Sequence, residues 1–162
     1  MVIVMGVSGC GKSTVGQALA ASLGWPFFDA DDYHPEGNIR KMANGLPLTD
    51  EDRAPWLERL RDVLASEHAA GRSAVLACSA LKERYRDVLR TAAPEVRFVY
   101  LCGTRDEVLQ LMSRRTGHFM KPGMLESQFA ALEPPRDALS IPVRLSCADQ
   151  VQRIRSHWQL GD

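Results

Sequence analysis

The first fifteen residues, MVIVMGVSGCGKSTV (Met1–Val15), decide the fold. Met1 to Met5 is a short apolar run with β-branched residues, which predicts a buried strand. Gly6-Val7-Ser8-Gly9-Cys10-Gly11-Lys12-Ser13 follows and meets G-x-x-x-x-G-K-[ST] at every fixed position. From Ser13 onward, Val15, Ala18, Leu19 and Leu23 recur at helical spacing. Strand, glycine loop and helix together are the context in which this motif binds phosphate. The glycines let the backbone approach an anion closely, because no Cβ intervenes. Successive N–H groups from Gly6 to Thr14 then line an anion cradle, and the helix N-terminus adds its own unpaired donors. Lys12 supplies a point charge for the β- and γ-phosphates, and Ser13 an oxygen for Mg²⁺.

Bulk properties narrow what surrounds this loop. A chain of 162 residues with 45% hydrophobic content predicts one domain with a real core. Twenty basic and twenty acidic residues cancel, so no basic bias points to nucleic acid. No apolar stretch approaches a membrane span, and a chain that opens on a strand leaves no room for a signal peptide. Cys10, Cys78, Cys102 and Cys147 form no C-x-x-C pair and lack metal-site spacing. They read as reduced packing residues of a cytosolic protein.

A second strand, Trp25 to Phe28, runs into Asp29-Ala30-Asp31-Asp32. Three carboxylates at a strand's carboxyl end are costly to gather unless a cation or donor sits among them. That end of an open α/β sheet is also where ligands bind. Asp29 reads as a metal contact and Asp31 as a group facing the acceptor, while Asp32 reads as merely solvated. His34, Asn38, Arg40 and Lys41 lie on or before a short helix stopped by Gly45, a polar mixture suited to a polyhydroxylated or carboxylated ligand. Thr49 to Asp52 caps a long helix whose Trp56, Leu57, Leu60, Val63 and Leu64 form a core stripe, with Pro55 near its first turn.

Ser73 to Cys78 reads as the third strand. Lys82 and Arg86, one turn apart on the next helix, share a face that can point over the strand ends. Val96 to Cys102 is the fourth strand, and Thr104 caps the helix after it. Residues 114–124, with Arg114, Arg115, Gly117, His118 and Lys121, hold cations and little core material. They read as a mobile lid that brings arginine to a transferring phosphoryl group. Pro142 to Ser146 reads as the last strand, and about Ala148 to Trp158 as the last helix. Five strands alternating with helices predict an α/β fold, a five-stranded parallel sheet covered on both faces.

Several blocks of this chain carry a family resemblance. They are the loop Gly6–Ser13, Asp29-Ala-Asp31, His34-Pro35, Asn38-Ile-Arg-Lys41-Met42, Pro47-Leu48, Asp50-Glu-Asp-Arg53, Pro55-Trp56-Leu57, Cys78-Ser-Ala-Leu-Lys82, Tyr85-Arg-Asp87 and Arg115-Thr-Gly-His-Phe119. In this order, over about three quarters of the chain, they resemble the small P-loop gluconate kinases, relatives of shikimate and nucleoside monophosphate kinases. The resemblance implies a single P-loop kinase domain over 1–162 that phosphorylates D-gluconate with ATP and Mg²⁺. It also implies a cytosolic setting and a homodimer. By position, Asp31 matches the acceptor-facing carboxylate, Asp29 the acid near the metal and Arg115 the lid arginine. Lys12, Asp31 and Arg115 are then the catalytic set. His34, Asn38, Arg40, Lys41, Lys82, Arg86 and His118 are candidates for the sugar acid's hydroxyls and carboxylate. Two departures stand out: Asp32 adds a third acid, and Cys78-Ser79 stands where a metal-binding Asp would follow the third strand. A kinase for shikimate or a nucleotide is the nearest rival. A slow nucleotide switch is a rival from another class, but no guanine-reading N-K-x-D stretch is present.

Overall fold

A computed structural model describes residues 1–114 and 122–161 of the chain. Among the described residues, five strands form one parallel sheet in the order β2-β3-β1-β4-β5. They are β1 (Val2–Met5), β2 (Phe27–Asp29), β3 (Val75–Ala77), β4 (Arg97–Cys102) and β5 (Leu139–Pro142). The helices are α1 (Lys12–Leu23), α2 (Glu36–Ala43), α3 (Asp50–Ala69), α4 (Glu83–Arg90), α5 (Arg105–Ser113), α6 (Pro122–Ala131) and α7 (Cys147–Trp158). A short 3₁₀ turn covers Ala30–Tyr33.

β1 is central and all four of its residues are buried. Side chains alternate across a strand, so Val2 and Val4 face one helical layer and Ile3 and Met5 the other. The first layer gathers Val15 and Leu19 of α1, Val108 of α5, Leu125 of α6 and Ile154 of α7. The second gathers Trp56, Leu57, Leu60 and Leu64 of α3 with Tyr85 and Leu89 of α4. A strand packed on both faces must be apolar throughout, which is why the first five residues show no polar alternation.

The crossover from β1 runs to β2 on one side of it, and the crossover from β3 runs to β4 on the other. This opens a crevice at the carboxyl end of β1, where the glycine loop emerges. Capping boxes start α3 (Thr49 with Asp52) and α5 (Thr104 with Glu107), each worth about 1 kcal/mol.

Two expectations are corrected. The fifth strand is Leu139–Pro142, not Pro142 to Ser146. Leu139 and Ile141 supply the alternation, and Pro142 ends the strand at the sheet edge, where its missing N–H costs no ladder bond. The Val143 N–H donates to the Cys102 carbonyl at 2.8 Å, and Val143 stays buried in the turn that follows. Pro55 lies in the second turn of α3 rather than the first. It removes a donor to the Glu51 carbonyl, and both residues are exposed, so water can serve that group.

Among the described residues, no helix is long and apolar enough to cross a membrane. Most of the expected lid lies at 115–121, outside the described residues.

Candidate active site

The glycine loop turns tightly over the end of β1. Gly6 has φ +144°, and a Cβ there would lie 2.9 Å from the Leu101 carbonyl oxygen. Gly9 has φ +81°, and a Cβ there would lie 2.6 Å from the Met112 side chain. Neither position admits another residue without strain. Gly11 precedes α1 and has no side chain to cap it, so the cap residue places no side chain over the first-turn N–H groups, the end of a helix that favours an anion.

Ser8, Gly9, Gly11, Lys12, Ser13 and Thr14 line one wall of a cavity of about 600 Å³. Gly6 sits behind them against Cys10 and Leu101, and Val7 and Cys10 are buried in the core. Lys12 Nζ donates to the Val7 carbonyl at 3.0 Å, which folds its charge over the loop.

The adjoining wall is acidic. Asp29 ends β2 and caps the 3₁₀ turn, its Oδ1 accepting the Asp31 N–H at 3.1 Å. Its Oδ2 accepts from Ser13 Oγ at 2.6 Å. Two hard oxygen donors on adjacent walls suit Mg²⁺, which usually takes one or two protein oxygens and fills the rest of its octahedron with water and phosphate. Among the described residues, no three His, Cys, Asp or Glu side chains converge as a metal site, so no all-protein cage competes with that arrangement.

Asp31 lines the same cavity as Lys12. Asp31 is itself exposed at the cavity mouth, yet lost hydration there, and then the neighbouring Asp29 charge, push its carboxyl above the ordinary range; Lys12 and His34 oppose them and do not win. Asp32 is exposed and does not line the cavity.

His34 also lines the cavity, stacked flat on Trp56 with ring centroids 4.4 Å apart and planes 12° apart. Trp56 is itself fixed, its Nε1–H donating to the Ala30 carbonyl at 2.7 Å. Burial first, and the Arg53 charge after it, lower the His34 pKa against the pull of Asp31, so the ring is neutral at pH 7. Asn38 Nδ2 lies 3.3 Å from His34 Nδ1. An amide donor there selects the tautomer with the proton on Nε2.

The other candidates for the acceptor are placed differently. Asn38 is buried and donates to the Asp52 carbonyl at 2.9 Å, so it holds His34 and α3 in place and lines no part of the cavity. Arg40 is exposed and pairs with Glu36 one turn earlier. Lys41 is held by the Asp52 carboxylate at 2.7 Å, and this pair with the Thr49 cap lowers the Asp52 pKa to about 2. Lys82 meets Asp50 at 3.2 Å, beside Arg84 and Tyr85. Arg86 is only 1% exposed and fully occupied by Glu83 and three backbone carbonyls. Arg115 and His118 lie outside the described residues.

One cation was missed. Arg53, on α3, lines the cavity with Asp31 and His34, and its Nη1 donates to the Leu48 carbonyl. It stands three residues before Trp56, and that i, i+3 spacing puts it on the inward stripe, a signal masked by the capping sequence around it. Met42, Leu48, Ser79, Met124 and Gln128 complete the rim and floor.

The shikimate kinase family model matches residues 8–141 of the chain. The thermosensitive gluconokinase of Escherichia coli (strain K12) is 45% identical over 157 residues, which cover 94% of this chain and 84% of that protein. The gluconokinase of Gluconobacter oxydans (strain 621H) is 49% identical over 135 residues, covering 83% and 76%. The crystal structure of a gluconokinase from Sinorhizobium meliloti 1021 superposes with a TM-score of 0.86 at 41% identity, covering 98% of this chain and 94% of that one.

Proposed function

The chain belongs to the gluconokinases, within the broader shikimate kinase family, and on that premise we propose that it transfers the γ-phosphoryl group of ATP to the terminal hydroxyl of D-gluconate, giving 6-phospho-D-gluconate. One observation carries the reading at atomic level: a phosphate loop and a carboxylate of raised pKa face the same cavity.

In this reading the loop amides of Ser8, Gly9 and Gly11 to Thr14, with the Lys12 ammonium, hold the triphosphate; the Cys10 N–H donates to the Val7 carbonyl instead, and the Gly6 N–H to the Ser79 carbonyl. Ser13 and Asp29 would hold Mg²⁺, which would supply positive charge against the phosphates. Asp31 orients the acceptor hydroxyl and takes its proton as the bond to phosphorus forms. Its raised pKa keeps it closer in basicity to the task than an ordinary carboxylate. His34, neutral and fixed on Trp56, offers its Nε2–H to a hydroxyl. Arg53 supplies the cation that an acid substrate needs; its guanidinium fork matches a carboxylate in two parallel bonds. Lys12 and Arg115 neutralise charge developing on the transferred group. The family resemblance carries with it the lid at 114–124, a single domain, a homodimer and a cytosolic setting.

A coupled assay of ADP release against gluconate, shikimate and nucleoside monophosphates tests the substrate. Turnover with gluconate is expected; turnover with shikimate and none with gluconate would reverse the reading. Arg53→Gln is expected to raise the KM for gluconate by about tenfold to a hundredfold, the size of one lost charge-assisted pair, with little change in the KM for ATP. Steady-state kinetics with each substrate varied in turn measures this, and an unchanged gluconate KM removes Arg53 from the acceptor site.

A further inference from the structure

Two side chains from the helices that follow β4 rest on the phosphate loop. Met112, near the end of α5, packs tightly against Gly9. Gln128, in the second turn of α6, reaches a residue 120 positions earlier: its Oε1 accepts the Ser8 backbone N–H at 2.5 Å. Ser8 and Gln128 both line the cavity that holds Lys12 and Ser13. The contact therefore lies inside the anion cradle rather than behind it.

A backbone N–H has one hydrogen to donate, so Ser8 serves one strong acceptor at a time. An amide oxygen and a phosphate oxygen ask for the same donor geometry, and the charged one binds more strongly. We propose that Gln128 competes with the nucleotide for one donor of the cradle. Its amide oxygen occupies the Ser8 N–H that faces the cavity, and a phosphate oxygen then replaces the glutamine oxygen there. The exchange releases α6 from the loop, so occupancy of the cradle is felt by a helix at the cavity rim. This rests on the reading of the loop as the triphosphate site.

The distinguishing feature is the sign of the effect. A residue that merely supports the fold weakens ligand binding when removed; a residue that competes for the ligand's donor strengthens it. Gln128→Ala should therefore bind Mg·ATP about three- to tenfold more tightly than wild type, the factor of one net neutral hydrogen bond. Gln128→Glu should bind it at least about tenfold more weakly, because a carboxylate then faces the phosphates. Isothermal titration with Mg·ATP and no acceptor reads both. In ¹⁵N-labelled protein, the Ser8 amide resonance should differ between wild type and Gln128→Ala when each is free, and coincide when each is saturated with Mg·ATP. Equal or weaker binding by Gln128→Ala overturns the proposal, as does a Ser8 resonance that still differs between the saturated proteins. Wild-type protein that binds no Mg·ATP overturns the triphosphate reading as well; wild-type binding without the gain in Gln128→Ala overturns only the role of Gln128.

Discussion

Asp31→Asn is expected to keep ATP binding and lose about 10² to 10⁴ of the gluconate-dependent kcat, the range that a positioned general base contributes. The substitution preserves shape and one acceptor oxygen but cannot take a proton. Its effect should therefore fall on kcat and leave the nucleotide KM near the wild-type value. The pH profile follows from the direction of the pKa. Burial and Asp29 raise the Asp31 carboxyl above its ordinary value of 3.8. The active, charged form is thus lost as pH falls through that raised value, and the acid limb of kcat/KM should disappear in Asp31→Asn.

The same shift has a sign for stability. A carboxylate whose folded pKa is raised destabilises the fold once it is charged, at pH above its unfolded value. Asp31→Asn should then melt at or above the wild-type temperature while being nearly inactive. Asp52 behaves in the opposite way: its pKa is lowered to about 2. The stability it contributes is present above its unfolded value and is lost only as pH falls toward about 2. Acidification should therefore silence the enzyme before it uncaps α3. Thermal melts and initial rates across pH check both orders, and a fully active Asp31→Asn would remove Asp31 from the mechanism.

What could be read from the sequence was whatever depends on local spacing. The glycine loop, the apolar strand before it and the two capping boxes are defined within a few residues, and each stands where its pattern put it. Asp29 and Asp31 were legible because a strand end fixes where the next residues go. The cations were not. A lysine or arginine has a long, flexible stem, and its partner is chosen by whatever the fold brings near. Lys41 found Asp52 eleven residues away, and Lys82 found Asp50 across two helices. Arg53 was hidden for the converse reason: its neighbours Asp50 and Asp52 advertise a helix start, not a binding wall.

Arg86→Ala is expected to lower stability by about 2 to 4 kcal/mol, the cost of leaving buried carbonyls without a donor and of the packing lost with the side chain. On helical spacing alone, Arg86 shares a face with Lys82 and could reach an acidic acceptor. In the fold its guanidinium is 1% exposed and every arm is taken. Nη1 donates to the Ala80 and Leu81 carbonyls at 2.8 and 3.2 Å. Nη2 donates to the Glu133 carbonyl at 2.9 Å, and Nε and Nη2 both reach Glu83. These carbonyls belong to the turn after β3 and the segment after α6, so one side chain ties the two together. Ala80 carries φ +43°, a left-handed conformation that costs an alanine about 1 kcal/mol and persists because the surroundings hold it. Removing Arg86 leaves those carbonyls without a donor, while Glu83, half-exposed, keeps Arg90 at 2.6 Å. For a chain of this size the melting temperature should fall by roughly 4 to 16 °C. Arg86→Lys should recover little, because an ammonium cannot span a carboxylate and three carbonyls from one planar fork. Denaturant titration and gluconate kinetics well below the melting point separate the two roles. A large loss of stability with wild-type KM makes Arg86 a strut of the fold, whereas a raised KM with unchanged stability would return it to the sugar-acid site.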